Sequence, residues 1–146
     1  MTQNDLLLAL QSSLEAKFTD AEEVILQEGT EFRYATRKFR TFAILLSPAL
    51  DPQQTPRIGS LVYVYFSANV IVLVKKGKRV GRVTGIGSIT ERVNAVVNHL
   101  RINTLSDLLD PSPISQCGDV EYITTSDDDI AAAGFVFTGF AREALS

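Results

Sequence analysis

At 146 residues, 45% hydrophobic and 21% charged, the chain has the length of one domain and the composition of a packed one, which excludes long disorder. A net charge of −3 and a pI near 5.1 exclude a domain that grips nucleic acid over its whole surface, so any basic contact is local. The single Cys117 excludes an internal disulfide, and the start MTQNDLLLAL lacks a basic signal segment, so a reducing cytoplasmic setting is expected.

Leu7, Leu10, Leu14 and Phe18 recur at spacings of three and four after Asn4 or Asp5 as N-cap, and predict an amphipathic helix. Residues 22–27 (EEVILQ), closed by Gly29, predict a first strand. Residues 39–47 (FRTFAILLS) predict a second, whose beginning as early as Phe32 and Tyr34 stays open. SPALDPQQTPRIG, residues 47–59, carries Pro48, Pro52 and Pro56, whose fixed φ and missing N–H predict a loop and neither helix nor central strand. Loops of that length are commonly functional.

Residues 61–82, LVYVYFSANVIVLVKKGKRVGR, set fourteen nearly unbroken apolar residues before five cations in eight. That run falls short of the ~20 residues a membrane-spanning helix needs. Its valines and isoleucine restrict χ1 and suit a pleated sheet, so it predicts strand, either one long strand or two turning at residues 67–69. Ser88 and Glu91 have the spacing of a capping box and predict a helix over ITERVNAVVNHL, with Ile89, Val93, Val96, Val97 and Leu100 as its apolar stripe. The helix either continues or restarts through Leu105, Leu108 and Leu109 before Pro111 and Pro113 stop it. VEYIT (residues 120–124) predicts a strand and SDDD a turn. GFVFTGFA (residues 134–141) predicts the last strand, with Phe135 and Phe137 on one face and Val136 and Phe140 on the other. The order is α-β-β-β-α-β-β: a single α+β domain with an antiparallel or mixed sheet of four to five strands and two helices on one face.

The chemistry-bearing residues are sparse. Gly85 and Gly87 precede a helix, but the third glycine of a dinucleotide fingerprint would fall at Thr90, so a turn into a capped helix is the plainer reading. Asp127, Asp128 and Asp129 are consecutive rather than alternate, which suits a solvated turn better than a calcium loop. His99 is the only histidine and has no CxxC to join, so no zinc set forms, and Cys117 reads as a small buried hydrophobe rather than a nucleophile. No catalytic residue, cofactor site or metal site is assigned, and the expectation is a protein that is not an enzyme.

The run Lys75, Lys76, Lys78, Arg79 and Arg82 admits three readings: a solvated loop, a contact with a partner protein, or a phosphate contact that reads no bases. No aromatics interleave it to stack on single-stranded bases. In LVYVYF neither alternating face is polar, and two short helices cover only one side of a sheet. A second subunit on the other side, or along an extended part of the long strand, is therefore expected.

The leading helix LLLALQSSLEAKF, the strands FAILLSPAL and VYVYF, the helix ERVNAVVNHL and the ending SDDDIAAAGFVFTGFARE together resemble the tail terminator proteins of long-tailed bacteriophages, lambda-type and Mu-type. The resemblance implies a virion protein, assembled in the host cytoplasm, that forms a ring of about six copies, caps the tail tube, stops its polymerisation and meets the neck or connector. It implies no cofactor and no membrane, with DNA only passing the lumen. On that reading the two loops, residues 47–59 and 75–84, are the candidate contact faces. They carry Pro52, Gln53, Gln54 and Arg57 in the first, and Lys75, Lys76, Lys78, Arg79 and Arg82 in the second. A rival from another class is a small cytoplasmic, oligomeric binding or regulatory domain that holds an anion at the helix start of residues 85–88.

Overall fold

The computed structural model describes residues 2–21, 23–27, 42–54, 61–75, 88–110, 115–123 and 130–144. Its elements run α1 (Gln3–Lys17), β1 (Glu23–Leu26), β2 (Phe42–Gln54), β3 (Leu61–Lys75), α2 (Ile89–Leu100), β4 (Glu121–Ile123) and β5 (Ile130–Ala144). The fold is α+β, in the order read from the sequence. The five strands form one sheet in the order β1-β2-β3-β5-β4. β1 pairs with β2 in parallel and the other pairs are antiparallel, so the sheet is mixed.

The apolar run is one strand. Ser67, Ala68 and Asn69 do not turn it, because all fifteen residues from Leu61 to Lys75 pair in unbroken register with β5, from Ala144 to Ile130. β5 begins four residues earlier than the aromatic alternation suggests. Alanine and glycine are poor strand formers, yet Ala131, Ala132, Ala133 and Gly134 lie opposite Val74, Leu73, Val72 and Ile71. Small residues there match the branched side chains across the ladder. A Cβ on Gly134 would stand 3.1 Å from the Val70 carbonyl oxygen and 3.2 Å from Ile71 Cγ1, a tight fit that requires these neighbours to give way slightly.

The proline-bearing segment is a strand as far as Gln54, which corrects the loop expected over residues 47–59; residues 55–59 lie outside the described part. Two features admit the prolines. The Leu46 carbonyl faces outward, accepting the Gln27 N–H at 2.9 Å, and Pro48, two residues on, faces the same way. The N–H missing from Pro48 is therefore lost on the outer edge and not between β2 and β3. Pro52 sits between Leu50 and Gln53, where the register of β2 against β3 shifts.

Both helices pack on one face of the sheet. Leu6, Leu7, Leu10 and Leu14 of α1 and Ile89, Val93, Val96 and Leu100 of α2 are buried there with Phe42, Ile44, Leu46, Phe66, Val70, Val72, Phe135 and Phe137. The N-cap of α1 is Thr2, not Asn4 or Asp5. Its hydroxyl accepts the Asp5 N–H, and the Asp5 carboxylate accepts the Thr2 N–H at 2.8 Å, a reciprocal pair that starts the helix at Gln3. At α2 the Ser88 hydroxyl accepts the Glu91 N–H at 3.2 Å.

α2 ends at Leu100 and does not continue through Leu105, Leu108 and Leu109. Leu105, Ser106 and Asp107 have φ of 52°, 59° and 67°, three consecutive left-handed residues that no right-handed helix contains. Side chains hold this turn: Asn103 Oδ1 accepts the Leu105 N–H at 2.8 Å and Thr104 Oγ1 accepts the Asp107 N–H. Gln116 satisfies the open end of α2, donating from Nε2 to the carbonyls of Leu100 (3.3 Å) and Asn103 (2.8 Å). The turn delivers Leu109 onto the sheet over Gly139.

Candidate interaction surface

Strand alternation sends Tyr65, Ser67, Asn69, Ile71 and Leu73 of β3 to the face opposite the helices, together with Ile130, Ala132, Gly134, Val136, Thr138 and Phe140 of β5. The two halves of this face differ. Near the β1 side and the Lys75 end, Ala43, Leu45, Ile71, Leu73, Ile130 and Ala132 form a second apolar cluster that is buried within one chain. The second subunit expected on this face, or along an extended part of the long strand, is thus not required to bury these six residues.

That other half is open. Tyr65 is 39% exposed and Val136 40%. Tyr65 lies directly opposite Phe140, with ring centroids 5.7 Å apart and planes tilted by 47°. Asn69 and Thr138 beside them are half-buried, and Ser67 Oγ lies 3.1 Å from Thr138 Oγ1. Among the described side chains, the patch mixes aromatic, aliphatic and hydroxyl groups without a charge at its centre. Such a surface suits contact with another protein.

Sharing Asn69 and Val136 with it, a groove of about 490 Å³ at Gly134 is also lined by Ile71, Ile123, Asp119 and Glu121. Gly134 belongs to its lining and is hemmed in by the Val70 carbonyl and the side chains of Ile71 and Ile123. Asp119 and Glu121 are both exposed. Strand glycines often mark a close approach of another backbone, which at Gly134 is that of Val70 in the adjacent strand.

A second cavity, of about 580 Å³, lies between the C-terminal halves of the helices and is lined by Ser12, Ser13, Lys17, His99, Asn103 and Ser106 among others. His99 there is structural. Its Nε2 lies 2.8 Å from Ser13 Oγ, and its ring stands edge-on to Phe18 at 5.8 Å. Burial, then the nearby Lys17 charge, lowers its pKa below 6.5. Cys117 is half-buried, its thiol 3.8 Å from the Val97 carbonyl, and burial pushes its pKa up to about 12. A thiol that stays protonated at neutral pH is a packing group rather than a nucleophile. Among the described residues, no group of three or more His, Cys, Asp or Glu could hold a metal ion, and no helix is long and apolar enough to cross a membrane.

Of the contact residues expected from the sequence, Lys75 is half-buried at the end of β3, opposite Ile130, and has a partner within the chain. Pro52, Gln53 and Gln54 lie on the backbone of β2. Arg57, Lys76, Lys78, Arg79 and Arg82 lie outside the described residues, as do Gly85, Gly87 and Asp127 to Asp129. The rival anion site at residues 85–88 is thus described only at Ser88, which is buried and whose hydroxyl already takes an N–H of the first helical turn. Neither protein-family models nor curated proteins gave a match to this chain.

Proposed function

We propose that this chain is a structural virion protein, a tail terminator of a long-tailed bacteriophage. Copies of it form a ring of about six that caps the tail tube, ends polymerisation and meets the neck. The reading rests on the element order, which is the one the resemblance implies, and on one observation above all. The β3–β5 ribbon carries a tilted Tyr65–Phe140 ring pair and Val136 on a half-face that the chain leaves in contact with water. An aromatic and aliphatic patch of this kind gains free energy when a neighbour covers it.

The mechanism is geometric. A ring built by head-to-tail contacts presents two unlike rims. One rim complements the last ring of the tube, and the other lacks the surface that a further tube ring needs, so growth ends there. DNA passes through the lumen without being read.

Light scattering after size exclusion, with negative-stain microscopy, tests the assembly: closed rings with a central hole are expected. A compact monomer at micromolar and at tenfold higher concentration overturns the reading. Deleting the gene from the genome that encodes it should yield tubes of uncontrolled length that fail to join heads, and normal tails after deletion refute the capping role.

A further inference from the structure

The groove over Gly134 has a polarity of its own. Its lining sets apolar Ile71, Ile123 and Val136 beside the exposed Asp119 and Glu121. Two copies meeting groove to groove would set like charges against one another, which disfavours that contact. The complement is a segment with an apolar residue between cations.

The chain contains such a segment. Five of its 14 lysines and arginines fall within the eight residues 75–82, in a protein whose net charge is −3. Beyond Lys75, which is already partnered, the sequence Lys76-Gly77-Lys78-Arg79-Val80-Gly81-Arg82 places Val80 between Arg79 and Arg82. Glycines on both sides of the cationic pair let the backbone approach a surface closely. β3 passes the groove at Asn69 and Ile71 and runs on to Lys75, roughly 13 Å further at ~3.3 Å per residue and directed away from the groove. A neighbouring copy can supply the segment without that reversal.

We propose that the Gly134 groove of one copy receives the basic segment, residues 76–82, of a second copy of this chain. The inference rests on the ring reading and specifies its subunit contact. Groove and segment are different surfaces of one chain, so the contact is heterologous and repeats around a ring until it closes. Its carboxylate–cation rim makes assembly sensitive to salt.

The test uses the full-length chain in four forms: wild type, Asp119→Lys with Glu121→Lys, Lys76→Glu with Arg79→Glu, and all four substitutions together. Size exclusion with light scattering reads assembly, and circular dichroism verifies that each form is folded; the exposed positions 119 and 121 leave the fold intact. Wild type is expected to form rings that dissociate as sodium chloride rises. Each reversal alone should shift the midpoint of assembly at least tenfold towards monomer, and the fourfold variant, in which both surfaces exchange sign, should assemble again. Wild-type rings that survive the groove reversal overturn this contact and leave the ring reading standing. Rings lost in the groove reversal and not restored in the fourfold variant overturn the pairing with the basic segment. A wild-type monomer overturns the ring reading and this contact together.

Discussion

Ser13 Oγ on α1 and His99 Nε2 on α2 stand 2.8 Å apart and tie the C-terminal halves of the two helices together across a cavity. Burial and the Lys17 charge keep the imidazole neutral at pH 7. In the unfolded chain His99 takes up its proton near 6.5, whereas the folded chain does so only at lower pH. As pH falls from 6.5 towards that lowered value, the unfolded state gains protons first and stability drops; above 6.5 the group contributes no slope. Melting temperatures at pH 7.5 and 5.5 should therefore separate further for wild type than for His99→Gln, and equal separations refute the assignment.

Leu109, 2% exposed, lies directly on Gly139 of β5, so that a Cβ there would come within 3.0 Å of its Cδ2. Gly139→Ala should cost about 1–3 kcal/mol by overpacking. In a Leu109→Ala background, itself destabilised by about 2–5 kcal/mol, the same change should cost almost nothing. Urea midpoints of the four proteins measure the coupling, and additive costs refute the contact.

Arg92 lies over the Phe42 ring, 4.5 Å from its centroid, and pairs with Asp20 beyond the end of α1. The Asp20 side chain is 57% exposed, so Asp20→Ala should cost no more than about 1 kcal/mol. Arg92→Ala removes the cation–π contact and the packing of the stem as well, and should cost about 1–2 kcal/mol. Arg92→Lys should recover little, because an ammonium group does not stack as a planar guanidinium does. Chemical denaturation ranks the three.

Burial outweighs the opposing charge of Arg101 at Cys117, so the thiol is protonated at pH 8. Labelling with a disulfide reagent should be slow in the native protein and immediate in denaturant. Rapid native labelling contradicts the burial described for this thiol.

The sequence made the strands legible wherever branched and aromatic residues repeat, as in Val70 to Val74, and the helices wherever leucine or valine recurs at helical spacing. It misled where tertiary packing overrode propensity. Ala131 to Gly134 form strand because bulky partners face them, and that is a property of the neighbouring strand. Leu105 and Leu109 have helical spacing but sit on a left-handed turn, held by Asn103 and Thr104. Tyr65, Val136 and the acidic groove were hidden for another reason. An alternating apolar strand does not disclose which part of a face its own chain covers, and only the fold brings Asp119 and Glu121 beside Ile71 and Val136 in one groove.

Pro48 bears on whether the sheet can be extended along β2. Its outward-facing imide nitrogen offers no donor to a strand laid along the outside of β2, and the register shifts that follow bend that margin further from a flat template. Extension of the sheet by a further strand is thus disfavoured along this margin, which guards it against edge-to-edge pairing of the kind that leads to fibrils.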